Sequence, residues 1–231
     1  MDHQRISAPS QSAFQRMFPT SRIAVSLLFL VNGFMIGSWA PKIPEFAQRL
    51  TLSEGELGLM ILMFGVGSLT MMPIAGAQIA KRGSTIVVKV LAVLLMPTLL
   101  ALTLADAIWS GVVAIFLFGG FLGAMDVAMN ANAVEIEKSL HRAIMSSCHA
   151  FWSLGGLIGS AAGGYLIAFY GTFGHAVILT IAAVATLAAA WRFIFADSPH
   201  PEAEKVKVRL NESDGSDAVS ITDSGRSEVS S

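Results

Sequence analysis

Charge is scarce in this chain of 231 residues: Asp, Glu, Lys and Arg make up 13% of it. A soluble domain carries about a quarter of its residues as charge, so most of this surface is not built to face water. Cysteine is nearly absent. Cys148 stands alone, which excludes an intramolecular disulfide and leaves the redox compartment open. There is no basic tract, and the formal net charge is −1; composition therefore offers no footprint for nucleic acid. Reactive constellations are missing too. No nucleophile–base set, phosphate-binding loop or metal-ligand cluster is visible, and the spacing of His141 and His149 repeats no zinc pattern. The chain is not expected to be an enzyme, and no metal or cofactor is expected.

What is present is apolar. Hydrophobic residues reach 54% and mean hydropathy is +0.64. Six apolar segments cover residues 22–41, 57–80, 85–105, 108–133, 144–170 and 173–195. Crossing a hydrocarbon core of about 30 Å takes roughly 20 helical residues, and each segment is long enough. Backbone groups in lipid must be satisfied internally, and the runs lack the alternation of a membrane barrel, so helices follow. The first run, Ile23 to Ala40, exceeds the roughly 7–15 apolar residues of a signal peptide. It reads as an uncleaved first span of an all-α membrane protein with six transmembrane helices.

Basic residues set the expected orientation. Arg5, Arg16 and Arg22, then Lys81, Arg82 and Lys89, then Lys138 and Arg142, and finally Arg192, Lys205, Lys207, Arg209 and Arg226 all fall on one side of a six-span path. The opposite side has only Lys42 and Arg49. The positive-inside rule makes both termini cytoplasmic. Residues 1–21 form a cytoplasmic tail in this reading, 22–195 the membrane domain, and 196–231 a Ser- and Asp-rich tail expected to be disordered. Pro41 and Pro44 are expected to end the first span, and Ser53 with Glu56 to cap the second. Glu135, Glu137, Lys138 and Arg142 read as a solvated inner loop.

Small residues recur at helical spacing. Gly155, Gly159 and Gly163 in "LGGLIGSAAGGYL" repeat every four positions, as do Gly33 with Gly37 and Gly119 with Gly123. Such strips let a neighbouring backbone approach, so helix packing is the expected role. Polar residues inside apolar spans are fewer and more telling. Asp126, in "GAMDVAMNANAVEIE", lies near the middle of the fourth segment. Burying its charge costs about 2.5–3.5 kcal/mol, so it needs a partner, water or a proton. Asn130 shares its helical face at about 100° per residue, while Asn132 and Glu135 point elsewhere. Asn32 stands isolated in the first span. His149 and Trp152 lie on the fifth, where an imidazole can titrate and an indole can stack on a solute.

Three stretches resemble the N-terminal, six-helix half of a major facilitator superfamily transporter. "GAQIAKRGS" resembles the family's cytoplasmic loop motif: Gly76, Lys81 and Gly83 match, and Ala80 stands where the family has an aspartate. "GSAAGG" resembles an antiporter motif, with Ser160 at its proline. "MDVAMNANAV" is similar to the acidic pattern of the fucose-permease-like, sugar–proton symporter branch, with Asp126 at the acidic position and Asn130 at an asparagine. His149 falls where that branch has a polar residue. Ala40 falls near an expected acid and Phe116 near an expected arginine. The wider pattern resembles uncharacterised bacterial inner-membrane members.

The resemblance implies two inverted three-helix repeats, a midplane site, and Asn32 and Asp126 as equivalent polar residues of the repeats. It also implies small-solute secondary transport that is proton-coupled, in a bacterial inner membrane. A family member has twelve spans in two halves, so this chain is expected to act with a second copy of itself or a separate C-terminal half. A truncated, inactive remnant and a six-span binding or regulatory membrane protein are the alternatives. The expected partners are the lipid bilayer, a small solute and protons. Asp126, Asn130, Asn32, His149 and Trp152 are the candidate substrate and proton residues; Gly76, Lys81 and Gly83 form the candidate conformational loop.

Overall fold

The computed structural model describes residues 19–194. Most of both expected tails, including Arg5, Arg16, Lys205, Lys207, Arg209 and Arg226, lies outside them. Every regular element among the described residues is a helix, and none is a strand. Helix α1 is Thr20–Trp39, followed by a 3-10 turn Ala40–Lys42 and helix α2, Ile43–Arg49. Then come α3 (Glu54–Arg82), α4 (Ser84–Leu95), α5 (Thr98–Leu104), α6 (Ile108–Leu140) and α7 (Met145–Trp191).

Five stretches among the described residues are long and apolar enough to cross a membrane: Thr20–Arg49, Glu54–Arg82, Ser84–Leu104, Ile108–Leu140 and Met145–Trp191. The sequence reading expects six. The difference lies in α7, a continuous element of 47 residues in which the backbone of Gly171 leaves helical geometry at φ 68°, ψ 175°. Left-handed φ is open to glycine at little cost, and it divides α7 into two arms, residues 145–170 and 172–191.

Local sequence explains the other boundaries. Ser53 accepts from the Glu56 N–H at 3.4 Å, and the Glu56 carboxylate accepts the Ser53 N–H at 2.8 Å. This is the capping box expected from their spacing. Pro41 and Pro44 do not stop the helical path. Each sits in the first positions of a new short helix, where the missing N–H is harmless, so the chain is redirected without unwinding. Pro97 lies between α4 and α5, at the N-cap of α5.

Packing is organised around α1. Val25, Leu28, Phe29 and Met35 are fully buried, enclosed chiefly by α7 and α6. Added Cβ atoms show why glycine lies on these seams. One at Gly37 would sit 2.8 Å from the Gly156 Cα, and one at Gly159 only 2.8 Å from the Ser38 nitrogen. On the other seam, a Cβ at Gly119 would fall 2.9 Å from the Phe64 Cα, so α3 and α6 also meet backbone to backbone. The remaining faces of α3 and of the first α7 arm expose Leu59, Leu62, Leu69, Leu157 and Tyr165.

Candidate functional site

Helix α6 carries two kinds of polar residue on two faces. Its core face holds Met125, Ala128, Met129, Asn132, Ala133 and Ile136, all buried. Asp126 and Asn130 are one turn apart on a half-buried face. The Asn130 amide donates to the Asp126 carbonyl at 2.8 Å and reaches the Asp126 carboxylate at 3.3 Å. His149, exposed on the first arm of α7, lies within electrostatic reach of that carboxylate. Its ring is held edge-on to Phe29, with centroids 5.2 Å apart.

Asn32 does something different. It is 1% exposed, donates to the Leu122 carbonyl of α6 at 3.1 Å, and accepts from the Trp152 indole at 3.0 Å. One amide thus ties α1 to α6 and α7, and it fixes the orientation of Trp152. The close approach that permits this comes from Gly33, where a Cβ would lie 2.8 Å from the Trp152 carbonyl carbon. No hydrogen bond among the described residues joins this pair to Asp126 and Asn130.

The loop residues separate likewise. Gly83 ends α3 with φ 81°, ψ 159°, and its N–H donates to the Ile79 carbonyl at 2.9 Å. That left-handed φ requires glycine. Lys81 is exposed in the last turn of α3, where a cation complements the helix dipole. Gly76 has open space around an added Cβ, so packing gives it no reason to be glycine. Gly155, Gly159 and Gly163 face α1 and the turn after it: added Cβ atoms would lie 2.9 Å from the Phe34 nitrogen, 2.5 Å from the Phe34 carbonyl oxygen and 2.5 Å from Pro41 Cγ, respectively.

A sequence model described as the Major Facilitator Superfamily matches residues 25–224. The chain belongs to the major facilitator superfamily. It is similar to an uncharacterized transporter of Sinorhizobium fredii, 38% identical over 144 residues, which is 62% of this chain and 38% of that protein. An uncharacterized MFS-type transporter of Yersinia pestis is 35% identical over 141 residues, 61% of this chain and 37% of the relative. Membrane protein MosC of Rhizobium meliloti is 34% identical over 137 residues, 59% of this chain and 33% of the relative. The matched region spans well under half the length of each relative.

Several interactions of this superfamily chain were not anticipated from sequence. Lys42, which the charge count places with Arg49 on the side opposite the other basic residues, is fully buried. Its ammonium donates to Thr103 Oγ1 at 2.6 Å and to the Thr172 carbonyl at 3.0 Å, just beyond the Gly171 break. His175, also fully buried, packs with its Nε2 near Gly163, where an added Cβ would come within 3.1 Å. Arg49 pairs with Glu45 at 2.8 Å and caps α5 by donating to the Leu102 carbonyl at 2.9 Å and to that of Ala105. Glu137 is not merely solvated: its carboxylate accepts the N–H groups of Ile144 and Met145 at 2.8 and 3.1 Å, capping the start of α7. Glu135 and Lys138 do form an exposed pair, at 2.8 Å. Asn132 is buried and donates to Ser84 Oγ at 3.0 Å, joining α6 to α4.

Proposed function

We propose that this chain provides one half of a proton-coupled secondary transporter for a small polar solute. The observation that carries the reading is Asp126. It is an acid in the middle of an apolar helix, half-buried, aligned by Asn130 and within reach of a histidine on the neighbouring helix. An acid at that depth costs about 2.5–3.5 kcal/mol to insert, and such residues mark proton or substrate paths. Asn130 contacts solute in this scheme and His149 exchanges charge with Asp126. Asn32 and Trp152 are a fixed wall, because each already satisfies the other.

Helix length supports a six-span membrane arrangement. The 47 residues of α7 would extend about 70 Å at 1.5 Å per residue, more than twice the roughly 30 Å hydrocarbon core. With the Gly171 break as its turn, α7 crosses twice and the chain has six spans. These form two inverted three-helix repeats, with both termini on the cytoplasmic side of a bacterial inner membrane. The exposed faces of α3 and the first α7 arm receive a second copy or a separate half. Gly76, Lys81 and Gly83 belong to the loop that moves with this closure.

The test uses proteoliposomes loaded with a pH-sensitive dye and challenged with a panel of small polar solutes, with and without a pH gradient. A solute that drives proton movement identifies the cargo, and Asp126→Asn is expected to abolish the proton movement while circular dichroism stays unchanged. Proton-coupled flux equal in wild type and Asp126→Asn would remove the proposed role of that carboxylate.

A further inference from the structure

An apolar groove of about 170 Å³ runs along the outside of the bundle between α3 and α4. Its floor is made by Ala75, Val87 and Ala124, all buried, and its walls include Ile74, Ile86 and Val90, each about half exposed. Of the lining residues only Gln78 and Arg82 are polar, and both lie toward the end of α3. The Gln78 side-chain amide oxygen is buried without a hydrogen-bond donor. From Met71 to Arg82 the groove follows α3 for twelve residues, about 16 Å at helical rise. Half of a hydrocarbon core is about 15 Å. The groove is therefore the depth of one leaflet, open to lipid on its side, and polar only where that leaflet meets water.

Charge at that end is one-sided. The loop "GAQIAKRGS" carries Lys81 and Arg82 and no acid, since Ala80 occupies the aspartate position of the family motif. The ion pairs among the described residues are Glu45–Arg49 and Glu135–Lys138, so neither loop cation is neutralised by a described carboxylate. A long Arg side chain at a membrane boundary lays its stem on apolar surface and presents its fork to the headgroup level, where it suits a phosphate bidentately.

We propose that this groove binds one anionic glycerophospholipid, with an acyl chain lying between α3 and α4 and its phosphate on Arg82, assisted by Lys81. The site is separate from Asp126: Ala124 lines the groove, and two positions on a helix turn Asp126 about 200° away from it. Bound lipid would couple the end of α3 to the start of α4 across Gly83, the residue that carries the left-handed φ.

Native mass spectrometry of the full chain in mild detergent, with phosphatidylglycerol and phosphatidylcholine supplied equally, tests this. Wild type is expected to retain phosphatidylglycerol preferentially. Arg82→Gln should lower that retention about fivefold, the weight of one cation near an anionic surface, while Arg82→Lys keeps most of it. Val90→Trp, which fills the groove from an exposed wall, should reduce retention of both lipids. Arg82 and Val90 are exposed, and circular dichroism checks that the helices persist. Equal retention of the two lipids by wild type, unchanged retention by Arg82→Gln, or displacement by inorganic phosphate alone would each overturn the proposal.

Discussion

The neighbouring glycines Gly155 and Gly156 offer a controlled test of how α1 and α7 are held together. In sequence they are near-equivalent, adjacent in "SLGGLIG". In the structure they are not. A methyl at Gly155 would meet the α1 backbone, 2.9 Å from the Phe34 nitrogen and 3.0 Å from the Leu30 carbonyl carbon. A methyl at Gly156 would find its nearest atom, the Gly33 carbonyl oxygen, at an ordinary 3.7 Å. Alanine raises helix propensity by up to about 1 kcal/mol at both sites, so that contribution cancels in the comparison. What remains is overpacking at Gly155, where the added methyl would overlap the Leu30 carbonyl oxygen and the two backbones must separate by about an ångström. Such insertions cost about 1–3 kcal/mol. Unfolding of purified protein by sodium dodecyl sulfate in mixed micelles, followed by far-UV circular dichroism, should rank Gly156→Ala at or above wild type. Gly155→Ala should fall below Gly156→Ala by about 1–3 kcal/mol. If the two alanine variants unfold together, or Gly155→Ala is the more stable, the close backbone approach does not set the packing of these helices.

Other expectations use the same unfolding assay or local probes. Asn32→Leu removes the bridge to Leu122 and Trp152 and should cost about 0.6–1.7 kcal/mol, the range measured for polar pairs between membrane helices, with a shift in tryptophan emission; an unchanged spectrum and stability would exclude the bridge. Lys42→Ala removes donors to Thr103 and Thr172. It should destabilise by about 1–3 kcal/mol and speed amide exchange around residue 172; protection equal to wild type would show that the lysine does not hold the second α7 arm. Glu137→Ala should cost about 1 kcal/mol as a lost helix cap and raise exchange at residues 145–148, whereas Glu137→Gln keeps an acceptor and should lose less.

The helices were legible because lipid leaves the chain few choices. An apolar run of sufficient length must be helical, and Ser53 with Glu56 announces the start of α3 by chemistry that needs no distant partner. Legibility failed where a helix boundary depends on three-dimensional context. Pro41 and Pro44 read as terminators, but each occupies an early helical position and the helical periodicity continues through them. Once it does, Lys42 falls between Trp39 and Phe46 at positions i, i+3 and i+7, on the buried face. That spacing was present in the sequence, and only the assumption of an interrupted helix hid it. The Gly171 break falls between the expected fifth and sixth segments, 144–170 and 173–195, but that a single left-handed glycine rather than a loop stands there was not legible. Glycine is so frequent in the apolar run that nothing local distinguishes a left-handed residue from one that serves packing.

The polar residues of α6 show why composition alone does not separate function from architecture. Asn132 and Asn130 are two positions apart and chemically identical. Two positions on a helix is a rotation of about 200°, so they face nearly opposite directions. Asn132 is turned into the core, where Ser84 receives its amide and burial demands such a partner. Asn130 is turned to the half-buried side, where it meets Asp126 one turn earlier. A buried amide that bridges two helices resists movement, because breaking its bond to Ser84 leaves polar groups stranded in apolar surroundings. A half-buried carboxylate held by one amide at 3.3 Å retains lone pairs for another partner. The two faces therefore suit opposite tasks: the Asn132 face fixes α6 against α4, and the Asp126 face keeps an acceptor that a proton or solute can engage without unpacking the helix.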